Sequence, residues 1–456
     1  MKKRLNVSET FAVGSMLFGL FFGAGNLIFP VFMGQSAGSQ VWPAVIGFII
    51  TGVGVPLLGV VAMGMSRSES LLQMSSRVSH GYGMFFTCAL YLTIGPFFAI
   101  PRCASTSFSV GIKPMLQNES TANWLIWIFA FLFFAAVLWF SLKPGKILTW
   151  VGKLLTPLFL LSLALLIVTA LMNPIGSTAT VAPQPAYQTG AFFKGFIEGY
   201  NTMDALASLA FGIVVITTIR ELGVEKPEHI AGNTLRSGLF GCFIMAVIYI
   251  MLAVVGAQSR VAYPLSEDGG AALNLIATHY FKGVGGIVLA VIVTLACLKT
   301  AVGLITSCGE MFCKLFPNGP RYKAWAIGFC VLSFFISTIG LNAIIAWSLP
   351  VLMFLYPLAI TIILLALFGK LFLHDKAVYI SVTAFTLASA LFDLIAALPY
   401  GLPEVPVLST LNRLGTHLPL NSLGLGWVCP AAAGLVVGVV IHLFRRKGLK
   451  QASLAE

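Results

Sequence analysis

The chain has 456 residues, of which 58% are hydrophobic and only 9% are charged, and its mean hydropathy is +0.95. A water-soluble domain of this length needs a largely polar surface, so the composition excludes a soluble fold and indicates a polytopic α-helical membrane protein. The formal net charge of +12 would suit a nucleic-acid or acidic partner, but membrane proteins also concentrate basic residues in cytoplasmic loops.

Twelve apolar runs are each long enough to form a transmembrane helix. They cover residues 8–33, 41–65, 82–112, 123–142, 147–172, 192–219, 233–257, 281–313, 324–341, 344–369, 377–398 and 424–444. The first run follows a basic N-terminus, as in a signal peptide, but it continues through glycines without a cleavage pattern. We therefore predict that it is retained as the first helix.

The basic residues are distributed unequally between the two sides of these runs. With the N-terminus inside, twenty of the 27 Lys and Arg residues fall in cytoplasmic segments and five in external ones, while Arg102 and Lys299 lie within runs. This is the positive-inside pattern. It predicts a multi-pass protein of the cytoplasmic (inner) membrane with both termini cytoplasmic, surrounded by the lipid bilayer and without a nucleic-acid partner.

The first run is interrupted by the stretch FFGAGNLIFP at residues 21–30. Gly23 and Gly25 permit unusual backbone angles and close approach, and Asn26 adds a side-chain amide. Unwinding a transmembrane helix frees backbone N–H and C=O groups, which is tolerable only where they line a protein cavity. The N–H groups that begin the second half suit a carboxylate, and the carbonyls that end the first half suit a cation.

The third run contains LTIGPFFAIPRCASTSF, in which Pro96 and Pro101 are expected to kink the helix. Arg102 follows immediately, and it could bind a carboxylate or pair with a structural carbonyl or acid. Tyr91, one to two turns before Pro96, offers a hydroxyl toward the same region.

The sixth run carries a second interruption, EGYNTMDALASLAFG, at residues 198–212. Asp204 is an acid within the membrane and therefore a functional candidate; it could receive a substrate ammonium, join a cation site, or pair with the helix N-terminus that the break exposes. Breaks in the first and sixth helices are typical of a five-plus-five inverted repeat, although glycines are also common in transmembrane helices. We predict an all-α fold of twelve helices, with repeats at residues 8–172 and 192–369 and two additional helices at 377–444.

The eighth run contains a lysine far from either end. Lys299 lies 17 residues from Lys282 and 15 from Lys314, which is about 25 and 22 Å at the helical rise. A lysine at this depth must pair, lose its proton, or face a wet vestibule.

These segments resemble the branched-chain amino acid:cation symporter family of the amino acid–polyamine–organocation superfamily. The matching stretches are FGLFFGAGNLIFP, GPFFAIPRCASTSFSVG, EGYNTMDALASLAFG and LACLKTAVGLITSC, and the resemblance covers nearly the whole chain. It implies the leucine-transporter-like fold and uptake of leucine, isoleucine and valine by alternating access, coupled to Na⁺ or H⁺ and without other cofactors.

The resemblance also implies where a substrate and a cation would bind. The substrate would contact the two breaks, through Gly23, Ala24, Gly25, Asn26 and Tyr91 on one side and Tyr200, Asn201, Thr202 and Asp204 on the other. In sodium-coupled relatives of this fold, one ion bridges helix 1 carbonyls, here those of Gly19 and Phe22, to a small residue and two hydroxyl residues of helix 8. Ala296, Lys299 and Thr300 occupy that spacing, with lysine in place of a hydroxyl residue.

We therefore hypothesise that the Lys299 ammonium replaces a sodium ion, so that transport is proton-coupled or sodium-independent. A competing registration uses Gly303, Thr306 and Ser307 and would leave a sodium site intact.

Other classes of protein fit the sequence less well. A transporter of another small apolar amino acid remains an alternative. A membrane-embedded enzyme would need clustered acid, His or Cys residues, and the eight cysteines and six histidines are scattered, without a disulfide or metal-binding pattern. A channel would need a continuous polar lining, whereas the polar residues converge on the two breaks.

Overall fold

The structure is a computed structural model that describes residues 2–66, 68, 70–116, 118–143, 148–399 and 401–452. Arg67 and Lys146, which belong to the cytoplasmic charge count above, lie outside the described residues. The described residues form α-helices, short 3₁₀ and π-helical turns and connecting loops, and contain no β-strand.

As far as residue 172, the described residues form nine α-helices: α1 (Val7–Phe21), α2 (Ala24–Ala37), α3 (Val41–Ile49), α4 (Val55–Met65), α5 (Leu71–Ser75), α6 (His80–Leu92), α7 (Ala99–Gly111), α8 (Glu119–Ser141) and α9 (Thr156–Met172). Eleven more follow: α10 (Pro185–Gln188), α11 (Ala191–Glu198), α12 (Asp204–Glu221), α13 (Pro227–Ser259), α14 (Gly269–Phe281), α15 (Gly285–Leu315), α16 (Tyr322–Ser337), α17 (Leu341–Phe368), α18 (Lys376–Ala396), α19 (Pro406–Thr416) and α20 (Val428–Ala452). A π-helical segment joins α3 to α4 (Ile50–Gly54), and another joins α6 to α7 (Thr93–Phe97). A third precedes α9 (Leu148–Leu155).

Nine helical segments of the described chain are long and apolar enough to cross a membrane, or ten if the bent pair of α11 and α12 forms one span. Two further apolar helices, α1 and α16, are shorter. One helical segment crosses a boundary that the sequence predicted. The run Gly25–Met65 includes α2, α3 and α4, and it therefore joins the end of the first predicted run (8–33) to the second (41–65). The multi-pass helical architecture is confirmed, and the number of twelve spans stays a prediction.

The core of the bundle is formed by helices that approach one another closely. Helix α13 packs against α1, α2 and α4, and α15 packs against α7, α8 and α16. Where α2 crosses α13, a Cβ added to Gly34 would lie 2.0 Å from the Ala253 carbonyl oxygen, and one added to Gly256 would lie 2.2 Å from that of Val31. Only glycine permits this crossing, as is common at helix interfaces in membranes.

The kink expected in the third run occurs at one of its two prolines. Between α6 and α7 the backbone leaves the helical region at Gly95 (φ −89°, ψ −126°), directly before Pro96. Pro101 instead lies in the first turn of α7, where a missing N–H costs no helical hydrogen bond. Arg102, the fourth residue of α7, is buried within the bundle, and only 4% of its surface is exposed.

Candidate substrate and cation site

The first helix is interrupted between α1 and α2. Phe22 and Gly23 leave the helical conformation, and Gly23 is extended (φ −112°, ψ −155°). The Gly23 N–H donates to the Asn26 side-chain oxygen at 2.8 Å, which closes the turn. Because the N–H groups in the first turn of a helix have no acceptor within the helix, Ala24, Gly25 and Asn26 offer backbone donors at this point.

The second interruption separates α11 from α12, which are bent by 43°. A 3₁₀ turn over Gly199–Thr202 leads to Met203, whose φ of 64° is uncommon for a bulky residue. Asp204 then begins α12, and its N–H lies 3.3 Å from the Thr202 hydroxyl oxygen. After this bend, the Asp204 side chain contacts Asn26 of the first interruption.

A buried hydrogen-bond cluster joins the two interruptions. The Asn26 amide nitrogen donates to the Asp204 Oδ2 atom and to the Tyr249 hydroxyl, and the Tyr249 hydroxyl donates to the same Oδ2 atom at 3.1 Å. All three side chains are at most 2% exposed. Asn26 therefore uses both ends of its amide within the protein, one to close its own turn and one to hold Asp204.

Arg102 bridges the same two segments from α7. Its Nη1 atom donates to the Asn201 carbonyl oxygen at 2.9 Å, and its Cζ atom lies 5.5 Å from the centre of the Phe29 ring. A Cβ added to Gly25 would lie 3.0 Å from the Arg102 Nη2 atom. The guanidinium thus lies directly against the start of α2.

A small cavity of about 20 Å³ remains between these segments, which is room for about one water molecule. Its lining combines polar groups of the two interruptions with aliphatic side chains: Leu20, Phe21, Gly23, Gly25, Asn26, Ile94, Ala99, Arg102, Cys103, Thr202, Met203, Asp204, Ala207, Thr300 and Leu304. Polar groups at one side of an otherwise apolar lining suit a small amphipathic ligand. The cavity is too small in this conformation for an amino acid, whose binding would require the surrounding helices to separate.

Lys299 lies next to this cavity and is completely buried. Its Nζ atom donates to the Phe22 carbonyl oxygen at 2.7 Å and to the Gly19 carbonyl oxygen at 3.2 Å. Thr300, the next residue, lies 3.4 Å from the same Gly19 oxygen through its hydroxyl. Two carbonyls at the end of α1 therefore accept hydrogen bonds from the Lys299 amine of α15.

Three aromatic rings complete the surroundings of this ammonium. The Nζ atom lies 4.4 Å from the centre of the Phe159 ring, 5.1 Å from that of Phe18 and 5.6 Å from that of Phe22. The electron-rich face of an aromatic ring attracts a cation, and the attraction is strongest where water is excluded. Two carbonyls and three aromatic rings therefore favour a positive charge on Lys299, and the described hydrogen-bond partners of its amine include no carboxylate.

The competing registration lies away from these carbonyls. The Thr306 hydroxyl donates to the Val302 carbonyl of its own helix, and the Ser307 hydroxyl donates to the Ala210 carbonyl in α12. Gly303 packs against the Leu20 side chain. In this structure Lys299 and Thr300 are the α15 residues whose side chains donate to the Gly19 and Phe22 carbonyls. Ala296, one turn before them, is buried.

Three of the predicted substrate residues do not line the cavity. The Tyr91 hydroxyl donates to the Ala210 carbonyl at 3.3 Å, and the Tyr200 ring stacks on Tyr356 with 4.1 Å between centres. The Asn201 side chain donates to Glu198, and only its backbone carbonyl contacts Arg102. A role for these residues in binding stays a prediction.

Sequence reasoning missed Tyr249 and the ring of Phe159. Both lie in long apolar runs, where a tyrosine or phenylalanine gives no local signal of a special role. Their positions depend on the packing of α13 and α9 against α1, which the spacing along one helix cannot reveal.

Comparison with known proteins identifies the family. Residues 6–445 match the family model described as branched-chain amino acid transport protein. The chain is 51% identical to the branched-chain amino acid permease BrnQ of Lactobacillus delbrueckii subsp. lactis over 98% of this chain and 99% of that one. It is 42% identical to the permease of the same name from Bacillus subtilis, over 98% and 100% of the two chains.

The solved structures that resemble it support the fold. Mhp1, a nucleobase–cation symporter in a closed conformation, superposes with a TM-score of 0.60 at 16% identity, over 96% of this chain and 93% of that one. A Na⁺-coupled sialic acid symporter in a substrate-bound outward-open state gives a TM-score of 0.61 at 12% identity, over 95% and 90% of the two chains. The two solved structures and this chain share the leucine-transporter-like fold. By its own sequence, the chain belongs to the branched-chain amino acid transport protein family, and it is therefore a membrane transporter and not an enzyme.

Proposed function

We propose that this protein is a secondary active transporter that imports leucine, isoleucine and valine across the cytoplasmic (inner) membrane by alternating access. The names of its relatives support the substrate class. The proposal includes cytoplasmic termini, an inverted repeat of residues 8–172 and 192–369, and two additional helices at residues 377–444. It also includes two transmembrane helices that are discontinuous at the α1–α2 and α11–α12 interruptions.

The substrate carboxylate would bind at the start of α2. The backbone N–H groups of Ala24, Gly25 and Asn26 and the positive end of the helix dipole favour an anion there. The substrate ammonium would face Thr202 and Asp204 at the other interruption, and its aliphatic side chain would contact the apolar lining of the cavity. The volume of that cavity is only about 20 Å³ in this conformation. The α1–α2 and α11–α12 segments must therefore move away from α7 and α15 when the substrate binds.

The cation site carries the proposal on coupling. The Lys299 ammonium donates to the Gly19 and Phe22 carbonyls, the positions that a coupling sodium ion would need. A buried ammonium at this place repels Na⁺ by direct charge and occupies its oxygen ligands. We infer that transport is independent of Na⁺ and that protonation and deprotonation of Lys299 couple it to H⁺, without another cofactor.

Uptake of radiolabelled leucine into proteoliposomes tests this assignment. For the native protein, replacing Na⁺ by choline should leave uptake unchanged, while an inward proton gradient should increase it. In Lys299→Thr, which restores a hydroxyl beside Thr300, uptake should become dependent on Na⁺. Sodium-stimulated uptake by the native protein would refute the role of Lys299.

A transporter of another small apolar amino acid is the alternative function. Competition of leucine uptake by an excess of isoleucine, valine, methionine or alanine separates the two. Stronger competition by alanine or methionine than by isoleucine and valine would favour the alternative.

A further inference from the structure

A second, polar cavity of about 440 Å³ lies at the end of the bundle near the N-terminus, away from the central site. The end of α4, the start of α13 and the turn between α17 and α18 surround it. The start of α13 also contacts the N-terminal segment, because the Asn233 amide donates to the Lys3 carbonyl. The lining residues are Gly64, Met65, Ser66, Arg77, Glu228, Ala231, Lys370 and His374.

Arg77 is held in one orientation at this cavity. Its Nη2 atom donates to the Ser66 carbonyl oxygen at 2.6 Å, and its Nη1 atom lies 3.3 Å from the Tyr379 hydroxyl and 3.2 Å from His374 Nδ1. A Cβ added to Gly369 would lie 2.3 Å from that imidazole nitrogen, so His374 is closely packed as well. These three partners of Arg77 are uncharged, and they therefore orient the guanidinium without cancelling its charge.

The lining carries an excess of positive charge. Among the described residues of the lining, Arg77 and Lys370 oppose one carboxylate, that of Glu228. Burial together with these two cations lowers the pKa of His374. The positive charges of Arg77 and Lys370, which face the same cavity, favour a bound anion. An arginine fixed in orientation beside an exposed lysine is suited to a phosphate group.

Large apolar side chains flank the basic residues of the same turn. The exposed fractions of Phe368, Leu371 and Leu373 are 55%, 83% and 66%. Lys370 lies between the first two, and His374 follows the last. A basic pocket beside protruding apolar residues at the end of membrane helices matches a ligand with an anionic head and an apolar tail.

We propose that this cavity binds the headgroup of an anionic phospholipid. The phosphate contacts Arg77 and Lys370, and the acyl chains lie against Phe368, Leu371 and Leu373. Bound there, the lipid connects the end of α4 and the start of α13 with the α17–α18 turn.

Thermal stability of the full-length protein in detergent, after removal of bound lipid, tests the proposal. Phosphatidylglycerol should raise the melting temperature in a saturable manner, whereas phosphatidylcholine and inorganic phosphate at equal concentration should not. In Lys370→Gln the concentration for half-maximal stabilisation should rise about fivefold, the effect of one basic residue near an anionic lipid surface. Glu228→Gln should lower that concentration, because it removes a negative charge from the described lining.

Lys323→Gln is the matched control, since Lys323 is an exposed lysine that does not line the cavity. Its response to phosphatidylglycerol should equal that of the native protein. Equal stabilisation by phosphatidylcholine, or an equal loss in Lys323→Gln and Lys370→Gln, would overturn the proposal. Stabilisation by inorganic phosphate that Lys370→Gln abolishes would identify a free-anion site instead of a lipid site, and would also overturn it.

Discussion

Replacing Gly25 by alanine tests the contact between the start of α2 and Arg102. The new Cβ would lie 3.0 Å from the Arg102 Nη2 atom and 3.0 Å from the Phe29 ring, so one of these groups must move by a few tenths of an ångström. The guanidinium is tied to the Asn201 carbonyl at 2.9 Å and is almost completely buried. Its displacement would lengthen the hydrogen bond that joins α7 to the α11–α12 interruption.

The size of the effect follows from that bond. A hydrogen bond to a charged group contributes about 1.5–3 kcal/mol, which corresponds to roughly 10- to 150-fold in an equilibrium between conformations. Because the bond is lengthened and not removed, we expect Gly25→Ala to slow leucine uptake by about tenfold, the lower end of this range, in proteoliposomes at equal amounts of folded protein. The substitution also places a methyl group beside the N–H donors proposed for the carboxylate, so half-saturation should require more leucine.

Gly328→Ala is the matched control for the substitution itself. Gly328 lies within α16, and a Cβ added there would meet no atom within 4 Å. This variant should transport as the native protein does, because alanine is the better helix former and nothing has to move. Native uptake by Gly25→Ala, or an equal loss in both variants, would refute the reasoning from the Arg102 contact.

Two further predictions concern stability. Tyr249→Phe removes a hydroxyl that donates to Asp204 at 3.1 Å and accepts from Asn26. It should destabilise the folded protein by about 1–3 kcal/mol, which would be measured as faster thermal inactivation. An unchanged rate of inactivation would contradict a contribution of this hydrogen-bond cluster to stability. At the other end of the chain, the hydrogen bond from His442 at 2.6 Å lowers the pKa of Asp375 below its ordinary value of 3.8. A carboxyl group whose folded pKa is lowered stabilises the fold above its unfolded pKa and loses that contribution as the pH falls through the folded pKa. Melting temperatures below about pH 4 should therefore fall more steeply for the native protein than for Asp375→Asn, and parallel curves would exclude this contribution.

Much of the membrane architecture was predictable because its signals are local. Apolar runs of helical length and the scarcity of charge identify a multi-pass helical protein, whatever the contacts between the helices. Glycines and polar residues within apolar runs likewise mark the interruptions at residues 21–30 and 198–212, since a break in a membrane helix requires particular residues at that point. The depth of Lys299 follows from its distance to the helix ends.

The tertiary structure decided which groups meet. Lys299 donates to a carbonyl 277 residues earlier in the chain, and Asn26 donates to Asp204 across 178 residues. Periodicity states which face of a helix is apolar, but it does not state which helix covers that face or at what height. For this reason the Phe159 and Tyr249 side chains enter the site without a sequence signal, while Tyr91 and Tyr200, which lie close to it along the chain, direct their side chains elsewhere.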